Sequence, residues 1–352
     1  MIKVRRLNDK KKIKDVLTLI GNVFFNGKTS KILIPKRNLK TRNIVVVQNN
    51  DKIIGCCIII DRNIFSEEEV IKTSFLSFIC IDDKFRGRGL SIQLMNFAIE
   101  ECKKRDSKIS FVIARKLVDN YYNKFGFFGV SQYSKIKLKL VPKVILKSYN
   151  FYDFDESDIP KINKVYNYSY QKILGSFRRY SDYWKFIKNK CKSLKLNFKT
   201  IYRDKKFIGY IIYNNESIYE ISLINKENYL EILEYLLNLK KIKSLISIEC
   251  SLDHPVNFWL HECDYSLEIR QCLFGGHMAR INDPKFFVSR IKNFKEDFKF
   301  DYSGNTDKTN FKNNQMNFEL TSLMLNSNFL SNSRFYHNKN SKSFNIPIMD
   351  QI

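Results

Sequence analysis

Arg86-Gly87-Arg88-Gly89 is the stretch of this chain whose residue types and spacing can do chemistry. Glycines let a backbone close around an oxyanion, and two arginines add fixed positive charge. Just downstream, Leu90, Leu94, Phe97 and Ala98 fall at i, i+4, i+7 and i+8, which predicts a helix. Just upstream, residues 75–81 form an apolar run short enough for a buried strand. A basic glycine loop therefore stands between a strand end and a helix start. Backbone N–H groups there lack intrahelical partners, and the helix dipole adds positive potential. The arrangement suits a pyrophosphate.

Three kinds of phosphate loop have this outline. A P-loop needs Lys-Ser/Thr after its last glycine, but Gly89 is followed by Leu90-Ser91. The dinucleotide fingerprint needs three spaced glycines, and only two are present. Lys84-Phe85-Arg86-Gly87-Arg88-Gly89 instead resembles the Gln/Arg-x-x-Gly-x-Gly/Ala acetyl-CoA loop of the GNAT N-acetyltransferases, with Lys84 at the first position. The order of strand, loop, helix, second strand (109–114) and helix resembles that family as well. So does the closing segment Tyr122-Asn123-Lys124-Phe125-Gly126-Phe127, which matches its Tyr-x-x-x-Gly-Phe.

The resemblance implies an α/β (α+β) GNAT fold and an acetyl-CoA-dependent N-acetyltransferase acting on a primary amine. Backbone groups of Ile79, Cys80 and Ile81 would hold the pantetheine and the thioester carbonyl. Arg86, Gly87, Arg88, Gly89, Leu90 and Ser91 would hold the pyrophosphate. Tyr122 would protonate the departing sulfur, as a phenol with a reference pKa of about 10 can. Tyr121 is its neighbour, turned about 100° away on a helix. A packing role for Tyr122 is the competing reading.

The whole chain resembles the enhanced-intracellular-survival type of acetyltransferase. In that family an active GNAT domain, a degenerate GNAT domain and a sterol-carrier-protein-like tail form one subunit. The resemblance is carried by residues 165–184 (VYNYSYQKILGSFRRYSDYW), by Met278-Ala279-Arg280-Ile281-Asn282-Asp283-Pro284, and by the Pro-Ile-Met-Asp-Gln-Ile ending. It implies tandem domains at 1–141 and 142–283, a short tail domain at 284–352, and a homo-oligomer. It also implies a base. Many GNAT enzymes place a glutamate on the central strand, whereas residues 75–81 offer only Ser77. In the resembled family the C-terminal carboxylate serves, a position matched by Ile352. A free α-carboxyl, with a pKa of about 3.5, is a weak base unless desolvated or relayed through water. A merely packed end at Ile352 is an equal alternative.

Local patterns fill in the elements. A strand is expected at 3–6 and a helix at 9–20, capped by Asn8 or Asp9. Residues 43–48 and 53–61 read as a hairpin, Ser66-Glu67-Glu68-Glu69 as a solvated turn, and 135–140 as a strand closing the first sheet. The second half repeats the order: a helix at 158–171, a hairpin of 198–202 with 207–213, a strand at 218–224, a helix at 229–240, a strand at 245–250 and a short helix at 256–262. Where the first copy has its glycine loop, the second has Asn225-Lys226-Glu227-Asn228. Glu227 would repel a phosphate, so this copy is expected to bind no CoA. The segment Gly275-Gly276-His277-Met278-Ala279-Arg280-Ile281-Asn282-Asp283-Pro284 reads as a boundary, and the apolar ending predicts a tucked tail.

Formal charge is +25, from 61 Lys and Arg against 36 Asp and Glu. The lysines are diffuse and no nucleic-acid module is recognisable, so nucleic acid is not expected as the main partner. The eight cysteines lack a disulfide framework and read as reduced thiols in the cytoplasm. Cys250, His254, His261 and Cys263 match no zinc spacing, and no metal is expected. Neither a signal peptide nor a membrane span is suggested. Two further function classes stand beside the enzyme: a non-catalytic acyl-CoA-binding or sensing protein using the same cradle, and a basic nucleic-acid-associated factor.

Overall fold

The structure is a computed structural model. It describes residues 1–66, 69–114, 119–130, 132–140, 149–173, 175–225, 228–238, 246–251, 253–271, 276–283, 286 and 346–350. The first half runs β1 (Ile2–Arg6), α1 (Ile13–Phe25), β2 (Ile44–Asn49), β3 (Lys52–Ser66), β4 (Glu69–Ile81), α2 (Leu90–Lys104), β5 (Ile109–Ala114), α3 (Asp119–Asn123), β6 (Phe128–Gly129) and β7 (Gln132–Leu140). The second runs β8 (Asn150–Asp153), α4 (Ile159–Tyr170), α5 (Ser181–Ser193), β9 (Asn197–Arg203), β10 (Lys206–Tyr213), β11 (Ser217–Leu223), α6 (Asn228–Asn238), β12 (Ile246–Cys250), β13 (Asp264–Gln271) and β14 (Gly276–Ile281).

These strands form two seven-stranded mixed sheets, β1-β2-β3-β4-β5-β14-β6 and β8-β9-β10-β11-β12-β7-β13. Only β4 with β5 and β11 with β12 run parallel. The fold class is the mixed α/β one expected, built twice in the same order.

One expectation fails. Residues 135–140 do not close the first sheet: β7 lies between β12 and β13 in the second. In exchange β14, which lies within the 275–284 segment read as a boundary, runs between β5 and β6 in the first. Each half thus donates one interior strand to the other. The alternation of buried Ile136 and Leu138 with exposed Lys137 and Lys139 specifies a strand with one wet face. It does not specify the sheet. In β14, buried His277 and Arg280 mask the apolar signature of a central strand.

Two layers cover the first sheet. On one face α1 buries Val16, Leu19 and Ile20 with the inner side chains of β2 and β3. Asp9 caps the turn leading into α1 by accepting from Lys11 N, and left-handed Asn26 ends the helix. On the other face α2 buries Leu90, Leu94, Met95, Ala98, Ile99 and Cys102. Where the halves meet, the far end of β3 is extended by the segment before α5: Phe65 N donates to Ser176 O at 2.7 Å and Arg178 N to Asn63 O at 2.8 Å. At the chain's end, Ile346 and Met349 are each 1% exposed, one in the first half's core and one in the second's. The expected tuck is present over these residues.

The tail-domain expectation at 284–352 otherwise lies outside the described residues, as do Glu67, Glu68, Cys272 and Ile352. Cys56, Cys57, Cys80, Cys102 and Cys191 are buried free thiols.

Candidate functional site

The site is built on the end of β4. Along its length β4 pairs with β3, but it pairs with β5 only over Thr73–Phe75. Beyond Phe75 no described strand follows its other edge. A register shift beside Cys57 and a positive φ of 53° at Phe78 mark a bulge there. A bulge bends a strand away from its neighbour, and a left-handed phenylalanine is a strained conformation of the kind found at functional sites.

Past the bulge, Asp82 N donates to Ile54 O at 2.8 Å. Strand alternation then directs the N–H and C=O of Cys80 towards β3 and those of Ile79 and Ile81 towards the open edge. The three residues singled out on this strand therefore divide. Ile79 and Ile81 present backbone groups to the gap, whereas Cys80 faces β3 with its Sγ 3.5 Å from Cys56 Sγ.

The loop follows directly. Asp82 accepts from Lys84 N at 3.1 Å and starts a single 3-10 turn, after which Gly87 and Gly89 take φ of 77° and 71°. A side chain there would be strained by its conformation, although a Cβ at either glycine would meet nothing within 4 Å. The cradle is open on that side. The first backbone bonds of α2 run from Ile92 N and Gln93 N to Gly89 O. Among the described residues, the N–H groups of Gly87, Arg88, Gly89, Leu90 and Ser91 have no acceptor. These donors lie at the start of a 15-residue helix whose dipole favours an anion. Arg86 and Arg88 are exposed beside it; Arg86 Nη2 pairs with Asp83 Oδ1 at 2.7 Å and Arg88 lies 5.4 Å from the Phe85 ring centre.

Helix α3 brings the tyrosines. Tyr121 Oη donates to Ser91 O at 2.9 Å, which ties α3 to the first turn of α2. Burial pushes the Tyr121 phenol up to about 12. Tyr122 belongs to the apolar cluster of Ile81, Leu90, Leu94 and Ala114, and burial pushes its phenol up further. Its hydroxyl makes no hydrogen bond to a described residue. Behind α3 the chain turns through Gly126 at φ 75°, and Arg280 of the exchanged β14 donates to Phe125 O. Arg280 was not foreseen as support for this turn, because its partner lies 155 residues away.

The matching place on the second sheet is filled. Leu223 N donates to Tyr229 Oη at 3.3 Å, and the buried imidazole of His254 lies against the Ile221 backbone. His254 Nδ1 accepts from Val256 N at 3.2 Å, and burial holds its pKa down to about 3. Among the described residues no group of three or more His, Cys, Asp or Glu side chains is gathered for a metal. No described helix is long and apolar enough to cross a membrane.

Residues 3–130 match the family model of the acetyltransferase (GNAT) domain. Among solved structures, a GCN5-related N-acetyltransferase from Anabaena variabilis aligns at 15% identity with a TM-score of 0.63, over 80% of this chain and 73% of that one. Eis1 from Mycobacterium abscessus aligns at 11% identity with a TM-score of 0.61, over 82% and 75%. A probable N-acyltransferase from Enterococcus faecalis aligns at 13% identity with a TM-score of 0.62, over 82% and 74%. At these identities the likeness is one of fold. No curated protein matches the sequence. The two mixed sheets match tandem GNAT-like folds, and the first holds the residues that match the family model.

Proposed function

We propose that this protein is an acetyl-CoA-dependent N-acetyltransferase that acylates a primary amine: a small-molecule amine, an aminoglycoside-like compound or a lysine side chain. The observation that carries this reading is the open edge of β4 beyond Phe75, which ends at a helix start with five unengaged N–H donors. Strand and cradle together fit a pantetheine chain that ends in a pyrophosphate. The cosubstrate supplies an activated thioester; the protein supplies alignment and proton management. In this reading residues 1–141 carry the chemistry and 142–283 serve as scaffold, with β14 supporting the catalytic turn.

The amine nitrogen attacks the thioester carbonyl, a C–N bond forms and the C–S bond breaks. Ile79 or Ile81 N–H, directed into the gap, stabilises the developing oxyanion. Tyr122 donates its proton to the leaving sulfur. Its raised pKa keeps that proton in place over the pH range where amines become free, and its hydroxyl is engaged with no described residue. Tyr121 is spent on Ser91 O and serves as a brace. The carboxylate of Ile352, two residues beyond the buried Asp350, is assigned the proton of the attacking amine.

The test is CoA-thiol release from acetyl-CoA across a panel of primary amines, with wild type and Tyr122→Phe. Amine-dependent release that falls about 100-fold in the variant, with acetyl-CoA affinity kept, supports the reading. Tight CoA binding without release for any amine would make the protein a sensor.

A further inference from the structure

The last described residues are held by buried charge. Arg179, Glu220 and Asp350 are each 1–2% exposed. Arg179 Nε and Nη2 donate to the two carboxylate oxygens of Asp350 at 3.1 and 2.8 Å. Its Nη1 and Nη2 donate to those of Glu220 at 2.5 and 2.6 Å. One guanidinium therefore forks two carboxylates. Tyr210 Oη donates to Glu220 at 2.7 Å, and Lys190 Nζ donates to Met349 O at 3.1 Å. The Arg179 guanidinium also lies 4.0 Å from the Tyr166 ring centre and 4.6 Å from that of Trp184.

Such a cluster is a poor source of net stability, since desolvation offsets most of the attraction. Bidentate geometry supplies register instead, because a slip of one residue would leave a buried carboxylate unpaired. The register is referred to the first sheet. Arg179 directly follows Arg178, whose N–H is bonded to Asn63 O on β3. Phe177 sets its ring edge against Phe75 at 5.2 Å, at the point where β4 leaves β5. Ile346 shares its apolar cluster with Phe75 and Phe177, and Phe78 of the bulge packs against that cluster. Ile346, at the start of the clamped segment, thus lies on the opposite face of the first sheet from α2.

We infer that Arg179, Glu220 and Asp350 are positioning residues for acyl transfer, holding the Ile346–Asp350 segment in register as a wall of the acceptor side. This rests on the proposed function, and it holds whether or not Ile352 is the base. Asp350→Asn is the informative variant: it keeps side-chain size and leaves Arg179 and Glu220 as a neutral pair. Removing Arg179 would strand two buried carboxylates and threaten folding. Arg179→Lys, which keeps the charge and loses the fork, is the second variant.

The measurements are amine-dependent thiol release, acetyl-CoA affinity, thermal midpoint, and release of C-terminal residues by a carboxypeptidase. The expected result for both variants is faster trimming of the end and a fall of roughly tenfold or more in kcat/KM for the amine. Acetyl-CoA affinity stays within about twofold, because the cradle is untouched. Faster trimming with wild-type amine kinetics would overturn the positioning role, as would parallel losses of CoA affinity, midpoint and turnover. Absence of thiol release in wild type would overturn the acyl-transfer reading and this role with it. That result is distinguishable, because the trimming contrast between wild type and variants would persist.

Discussion

At the end of β4, Gly55 faces Ile81 across the ladder and Asp82 N reaches Ile54 O; at the end of β11, Gly209 faces Leu223 and Ile224 N reaches Ile208 O. The two places correspond residue for residue. On β4 the backbone groups of Ile79 and Ile81 meet no described partner, whereas on β11 Tyr229 takes the Leu223 N–H and His254 covers Ile221. A strand edge is thus left open or covered by side chains, because exposed strand groups need partners from somewhere. In the second copy the chain supplies its own.

The comparison can be broken at several levels. The largest effect should come from separating the halves. Residues 1–141 alone lack β14, so β5 and β6 lose their shared partner; this fragment should show no cooperative thermal unfolding by circular dichroism, and a sharp transition would refute the exchange as a structural necessity. Next is Tyr122→Phe, with turnover down about 100-fold and acetyl-CoA affinity within about twofold. Gly89→Val forces a β-branched residue to a φ of 71°, at a cost of about 1–2 kcal/mol, and should weaken CoA binding by roughly tenfold.

Two smaller effects probe the filled site. Tyr229→Phe removes the acceptor of Leu223 N, which should cost about 1 kcal/mol in chemical denaturation and leave CoA binding unchanged. His254 carries a pH signature. Its folded pKa of about 3 lies below the unfolded value of about 6.5, so the unfolded state binds more protons between them. Stability should therefore rise from pH 3 to pH 6.5 and level off above, with at most about 1.4 kcal/mol per pH unit from this residue. Replacing His254 by Asn should flatten that slope.

Local structure is legible in the sequence. The glycine loop, the strand and helix around it, β5 and the Tyr122 segment all follow from nearest-neighbour patterns. What escaped depends on partners far along the chain. Nothing in residues 135–140 says which sheet they join, and nothing around Gly275-Gly276 announces a central strand. The bulge at Phe78 leaves no mark in the run 75–81 beyond the single polar Ser77. Asp350 reads as one more polar residue near the end until Arg179 and Glu220 are brought to it. In the second copy the missing glycines and Glu227 predict a loop unsuited to phosphate, while Tyr229 and His254 read as ordinary core residues.

The most direct measurement is calorimetric titration of the full chain with acetyl-CoA, beside Gly89→Val and Tyr229→Phe. One equivalent per chain, weakened by the first substitution and untouched by the second, is the expected result. Two equivalents, or binding that ignores Gly89, would contradict an open first edge and a closed second one.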